Sequence, residues 1–410
     1  MQLGGWIPKK SSIHPPFHSH VLTERNMKRT ARTSSTGDAY GTQEQEDRLS
    51  LLPDALLIYI LSFVDTKLAV QSSTLSKRWV HLWTFLPVLN FDSSLFEEEQ
   101  TYTLDNFVVK VTFDNFIEKV LAYRNGLIKI DSVNLKVSDH KTMARVFRYA
   151  LSHGVPDVSI DTSQNLSKYH PVSCVNSSDS LTSLTLKGML NFGKFPNFLG
   201  LVSLRLERVK IVESEPFSCF PNLEELHLVN CKLPSELPGL EVIAFRLSRL
   251  TISSCFYHPI PYGKLVLLTP KLASLDLGGL IPMSFEASEL PLLETIHIDC
   301  CFSFPRAFDR SVHQPDETQQ KLNLINILRC LRTARCVHLS PSTVKLLSIS
   351  HGMLAEEHSS FGNLKVLNLI PPPNKPMSEL HSSVTSYLLK DSPQAVVKTV
   401  PRYTFRWINR

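Results

Sequence analysis

A six-residue pattern, apolar–x–x–apolar–x–apolar, returns along most of this 410-residue chain. It reads IDSVNL from Ile130, VPDVSI from Val155, LTSLTL from Leu181 and LVSLRL from Leu201. It continues as LEELHL from Leu223, LSRLTI from Leu247, LASLDL from Leu272 and LETIHI from Leu293. Weaker copies are VKLLSI from Val344 and LKVLNL from Leu364. Between Ile130 and Leu293 the copies follow one another at 25, 26, 20, 22, 24, 25 and 21 residues. A unit of that length cannot bury its apolar face alone, so it must stack on its neighbours.

The last two apolar positions of each copy alternate as on a short strand. Both face inward, and the residue between them points to the opposite face. The period falls within the roughly 20–29 residues of leucine-rich repeats, and LEELHLVNCKL, residues 223–233, fits their full consensus. Cys231, Cys255 and Cys301 stand where the repeat's turn takes a small buried residue. The apolar positions read as core. The outward positions, Thr185, Arg205, His227, Thr251, Asp276, His297 and Asn368, read as candidates for target binding. Their mixed types suit a polar protein surface better than a uniform polyanion.

Ahead of the repeats stands LPDALLIYILSFVDTKLAVQSSTLSKRWVHLW, residues 52–83. It is too short to bury so much apolar surface by itself. Pro53 suits the first turn of a helix. Leu56, Ile60 and Phe63 then form one row, and Leu57, Leu61 and Val64 an adjacent one. Thr66 is expected to cap a second helix, on which Leu68, Leu75, Trp79 and Leu82 share a face. Pro87 ends it. Two more amphipathic helices are expected at 107–125 and 142–153, the second closed by Gly154 in a left-handed conformation. Residues 302–320 break the period with polar residues and read as an exposed insert, followed by a helix from Lys321. IPPPNKP, from Ile370, reads as a stiff loop.

Composition narrows the function. The chain is 43% hydrophobic and 20% charged with a net charge of +5, which fits a soluble globular protein. That charge is spread out, and no basic–aromatic platform recurs on the strands, so nucleic acid is not an expected partner. The eight cysteines form no C-x-x-C pair and have no zinc spacing, so no metal and no cofactor is expected, and the thiols suit a reduced compartment, nucleus or cytoplasm. No secretory leader is visible, and no apolar run approaches the roughly 18 residues that span a bilayer. Phosphate-loop, nucleophile-elbow and zinc-protease motifs are absent. The reading is a non-catalytic binding protein, with no catalytic residue.

The N-terminal motifs carry a resemblance. DRLSLLPD, LLIYILSF, TKLAV and LSKRWVHLW resemble an F-box of the large plant family of F-box/leucine-rich-repeat proteins, many of which end in an FBD domain. RVFRYALSHGV, FPNLEELHLVNC and LLTPKLASLDL resemble the same family's repeats. The resemblance implies a helical clasp that packs on a Skp-type adaptor, and through it on the cullin and RING subunits of an SCF ubiquitin ligase. The adaptor-facing positions it implies are Leu52, Pro53, Leu56, Leu57, Ile60, Leu61, Leu75, Trp79, Leu82 and Trp83, some of which must instead be internal core. Asp65 replaces the Pro common between the helices, so a looser turn is expected. Ser72 and Ser73 replace bulkier residues, which implies weaker adaptor binding. The second reading is therefore an interaction scaffold that has kept its repeats but lost productive adaptor binding.

The implied fold class is α/β: a small helical F-box, then an irregular leucine-rich-repeat solenoid, or horseshoe. The expected division is a disordered polar tail at 1–46, the F-box at 47–91 and a helical linker at 92–129. Repeats follow at 130–301, the insert at 302–320, degenerate repeats at 321–370, and an irregular tail at 371–410 in place of a full FBD domain.

Overall fold

The computed structural model describes residues 51–96, 105–163, 168–172, 178–233, 239–255, 263–300, 317–349, 361–370 and 382–399, together with Leu49 and apart from 194, 197, 280 and 283. The expected tail at 1–46, Cys301, most of the 302–320 insert and the proline-rich loop after Ile370 lie outside the described residues. Two helices open the fold, α1 (Asp54–Leu61) and α2 (Thr66–Gln71). Helices α3 (Asp105–Tyr123) and α4 (His140–Ser152) follow, close to expectation, and Gly154 closes α4 at φ 64°. Later helices are α5 (Glu317–Cys330), α6 (Pro341–Ile349) and α7 (Ser382–Leu389).

The first strands are β1 (Val88–Asp92), β2 (Ser132–Lys136), β3 (Asp157–Thr162), β4 (His170–Pro171), β5 (Ser183–Gly188) and β6 (Leu190–Phe192). Next come β7 (Ser203–Glu207), β8 (Lys210–Ile211), β9 (Glu225–Val229), β10 (Gly239–Ile243), β11 (Arg249–Ser253) and β12 (Lys264–Leu268). The last are β13 (Ser274–Gly279), β14 (Ser284–Ala287), β15 (Thr295–Cys300), β16 (Cys336–Leu339), β17 (Val366–Leu369) and β18 (Val396–Thr399).

Twelve strands form one sheet in the order β1-β2-β3-β5-β7-β9-β11-β13-β15-β16-β17-β18. Every neighbouring pair is parallel. Strand order follows chain order because each unit stacks on the one before it, the chain crossing over through the segment between each pair of main strands. Two smaller parallel sheets, β4-β6-β8 and β10-β12-β14, form beside it from the segments between main strands.

The two inward positions of each copy build two aliphatic ladders. One runs from Leu89 through Leu226 to Leu367, the other from Phe91 through Leu228 to Leu369, and every rung from β1 to β17 is at most 2% exposed. These ladders are the core, and their continuous burial is the main stabilising term. Buried thiols close the turns beside them: Cys231 Sγ donates to the Leu206 carbonyl at 3.3 Å and Cys255 Sγ to that of Leu228 at 3.2 Å.

The strand series is longer than the expected 130–301. It starts at β1, where Leu86, Leu89 and Phe91 repeat the same spacing inside the segment read as the N-terminal clasp. The copy expected from Val344 is not a strand but α6. Pro341 opens that helix, and Ser340 Oγ accepts from the Thr343 N–H at 3.2 Å. The strand falls one step earlier, at β16, where Ala334 holds the first position of the pattern. Helix α5 takes in residues 317–320 of the expected insert, and Gln320 is buried. The segment read as an irregular tail contains α7 and β18, and β18 extends the sheet beside β17.

Candidate functional site

Two surfaces stand apart from the core: the outer side of the N-terminal helices and the outer face of the main sheet. In α1, Pro53 is the N-cap residue, and helix residues Leu57 and Leu61 are buried against the rest of the unit. One turn round, Leu56, Tyr59, Ile60 and Phe63 are 48%, 61%, 43% and 70% exposed. Their i, i+3, i+4, i+7 spacing makes them one stripe, and Tyr59 meets Phe63 edge-on at 4.8 Å. Leu68 and Leu75 are also exposed. A run of large apolar side chains in water is a mark of an interaction site.

The ten residues proposed to face the adaptor therefore divide. Pro53, Leu56, Ile60 and Leu75 are exposed and Leu52 is half-buried. Leu57, Leu61, Trp79, Leu82 and Trp83 are internal core. Tyr59, Phe63 and Leu68 share the surface and were not among the ten, although the spacing already sets Phe63 in the Leu56–Ile60 row and Leu68 on a face with Leu75. The expected single second helix is broken: α2 ends at Gln71, and short 3-10 turns span Ser72–Thr74 and Trp79–Phe85. Ser72 and Ser73 cause the break locally, since their hydroxyls donate back to the Ala69 and Val70 carbonyls at 2.7 and 2.6 Å. That break lets Leu75 turn outward while Trp79 turns in.

The cap also differs from expectation. Asp65, not Thr66, caps α2: its carboxylate accepts from the Lys67 N–H at 2.6 Å. The predicted loosening at Asp65 is thus replaced by a capped turn, and burial pushes the Asp65 carboxyl above its ordinary range. Thr66 is buried, and its hydroxyl accepts from the Asn90 N–H at 2.8 Å. The Asn90 side chain donates to the Val64 carbonyl at 3.0 Å and accepts from Asn134 Nδ2 at 2.8 Å. Asn90 therefore pins the helices to the first rung of the sheet.

On the sheet's outer face, strand register sets the predicted residues side by side. Thr185 pairs with Arg205, Arg205 with His227, His227 with Thr251, Thr251 with Asp276, and Asp276 with His297. The row continues through His338 to Asn368 and Lys398, and back through Ser159 and Asn134 to Asn90. His338 escaped the sequence reading because its copy begins with Ala334. Two of the candidates are not open as expected: Thr251 and Asn368 are each only 6% exposed, covered by their neighbours in the row.

A second row beside it alternates in sign: Asp92, Lys136, Asp161, Lys187, Glu207. Lys136 meets Asp92 at 3.1 Å, and Lys187 meets Asp161 and Glu207 at 3.7 and 3.5 Å. This end of the face neutralises itself.

The other end is a hydrogen-bonded polar cluster. Thr251 donates to Asp276 at 3.3 Å, Asp276 pairs with His297 Nδ1, and the His297 and His338 rings meet edge-on at 4.1 Å. His338 Nε2 lies 3.1 Å from Cys336 Sγ. Burial, reinforced by neighbouring His297, pulls His338 down to about 4. Burial and then the Arg205 charge lower His227 as well. Burial pushes the Cys336 thiol up. A thiol raised above its ordinary value beside so weak a base stays protonated, so this contact is a hydrogen bond and not an activated pair. Among the described residues, no group of three or more His, Cys, Asp or Glu is arranged to hold a metal, and no helix is long and apolar enough to cross a membrane. The face offers imidazoles, hydroxyls, amides and paired charges, which can bind by polar complementarity.

No protein-family model matches the chain. Among curated proteins it is similar to an F-box protein of Arabidopsis thaliana, 27% identical over 346 residues, which cover 78% of this chain and 70% of that one. A putative F-box/LRR-repeat protein of the same plant is 27% identical over 73% of this chain and 56% of its own length. A putative F-box/FBD/LRR-repeat protein, also from Arabidopsis thaliana, is 29% identical over 86% of this chain and 74% of that one.

Proposed function

Starting from a chain that is similar over most of its length to plant F-box/leucine-rich-repeat proteins, we propose that it is a substrate-recognition subunit of an SCF-type ubiquitin ligase. Residues 47–91 serve as the F-box and seat a Skp-type adaptor, which joins the protein to cullin and RING subunits. The stacked strands act as a leucine-rich-repeat solenoid that holds a target protein on the outer face of the main sheet. The protein supplies no catalytic group. It works by raising the target's local concentration at the ubiquitin-loaded enzyme, in nucleus or cytoplasm.

One observation carries this reading: α1 buries Leu57 and Leu61 on one side and leaves Leu56, Tyr59, Ile60 and Phe63 in water on the other. An apolar stripe with its own core already satisfied is made for a partner helix. The test is capture of a purified Skp-type adaptor by the full chain and by the Leu56→Asp/Ile60→Asp variant. The wild type is expected to retain the adaptor and the variant to lose it. Equal retention by both would overturn the reading, and an absence of binding by the wild type would favour the repeat scaffold without a ligase role.

A further inference from the structure

The small sheet β4-β6-β8 carries a group of basic and polar side chains that neither surface above uses. Its register places Pro171, Asn191 and Lys210 in one row, and an isolated bridge continues that row from Lys210 to Lys232. Leu190 and Phe192 flank Asn191 and are buried, so this row lies on the face turned away from the core. Adjacent strands set half-buried Lys210 and exposed Lys232 side by side, a like-charge pairing that a bound anion would stabilise. Neither lysine has an ion pair among the described residues.

Three polar atoms in the same neighbourhood are buried without a hydrogen-bond partner: Tyr169 Oη, Asn191 Oδ1 and Arg208 Nε. Arg208 stands two residues before Lys210 and holds a left-handed conformation at φ 58°. The Tyr169 ring lies 5.7 Å from Lys232 Nζ. From β4 to Lys232 is three strand spacings, roughly 14 Å, so Tyr169 and Lys232 reach toward each other across Asn191 and Lys210. In the adjoining main strands Asp161 and Glu207 are already held by Lys187 at 3.7 and 3.5 Å, and on the small sheet the Glu213 carboxylate lies against Gly193, past the end of β6. Three cations and a phenol hydroxyl thus stand in this part of the small sheet, and neither Lys210 nor Lys232 is held by a carboxylate among the described residues. An unpaired donor in a buried site is stabilised by an acceptor, and several convergent donors with positive charge call for an oxyanion.

We propose that Tyr169, Asn191, Arg208, Lys210 and Lys232 form a binding site for a phosphomonoester, free or carried on another protein. The phosphate oxygens accept from the two ammonium groups, the guanidinium and the phenol, and Asn191 sets the spacing between the Tyr169 and Lys210 strands. The site is separate from the adaptor stripe and from the outer row of the main sheet, so it does not depend on either.

The experiment titrates the full chain with inorganic phosphate and with N-acetyl-O-phosphoserine amide, using the unphosphorylated serine amide and a short single-stranded oligonucleotide as comparisons. Saturable binding of either phosphate probe, absent for the serine amide, is expected. Removing two charge-assisted contacts in Lys210→Gln/Lys232→Gln should weaken it about tenfold or more. Tyr169→Phe should weaken it a few-fold and leave the circular dichroism spectrum unchanged. Preference for the phosphoserine amide identifies a protein-borne phosphate, and preference for inorganic phosphate a free one. Failure of both probes to saturate, binding unchanged in both variants, or tighter binding of the oligonucleotide than of either probe would overturn the proposal.

Discussion

Replacing Trp79 by Ala should damage the fold, whereas replacing Leu56 and Ile60 by Ala should damage only partner binding. Trp79 is 9% exposed and packs within the core cluster, so its truncation should destabilise by about 3–5 kcal/mol. Leu56 and Ile60 are 48% and 43% exposed. With about 1.5–3 kcal/mol for a fully buried side chain, half-burial limits their loss to roughly 1 kcal/mol each. Adaptor affinity should respond in the opposite order. An anchor side chain in a desolvated pocket contributes about 2 kcal/mol, or roughly thirtyfold in Kd, so the double variant should lose adaptor capture outright. Urea unfolding followed by tryptophan fluorescence gives the stability, and calorimetric titration with purified adaptor gives the affinity. If Trp79→Ala keeps its unfolding midpoint yet no longer binds adaptor, while Leu56→Ala/Ile60→Ala binds normally, the division of this segment into core and surface is wrong.

Three further outcomes are expected. His338 is pulled down to about 4 from 6.5, so the unfolded chain takes up its proton first on acidification. The stability tied to neutral His338 is complete above about pH 6.5 and is lost as the pH falls toward 4, and His338→Gln should flatten the unfolding midpoint over that window. Leu226→Asp should destabilise by several kcal/mol because it puts a carboxylate in a fully buried rung, while His227→Asp should leave thermal unfolding nearly unchanged; the reverse order would mean the strand register is misassigned. Asp65→Ala should cost about 1 kcal/mol through loss of the α2 cap, and Asp65→Asn should keep most of it; equal losses in a denaturant titration would show that the cap hydrogen bond is not the source.

The sequence by itself determined the stacking unit and its register. Leu226 and Leu228 on either side of His227 leave only one arrangement on a half-buried strand, because side chains alternate and one face is core. It also marked the N-terminal segment as needing a partner, since its apolar content exceeds what thirty-odd residues can enclose. It misplaced elements where a local signal imitated the repeat or hid it: VKLLSI spaces its apolar residues like a strand but follows Pro341, a helix opener, and β16 begins with Ala334 where its neighbours have leucine. Only the tertiary structure decided which apolar residues of that segment face water. Leu56 and Leu57 are adjacent and chemically identical, yet one is 48% exposed and the other 0%, because burial depends on what packs against each side and not on residue type. The same holds on the outer row, where Thr251 disappears beneath neighbours 24 and 25 residues away in sequence. It also holds at Lys210 and Lys232, unremarkable in the chain, which strand pairing brings side by side.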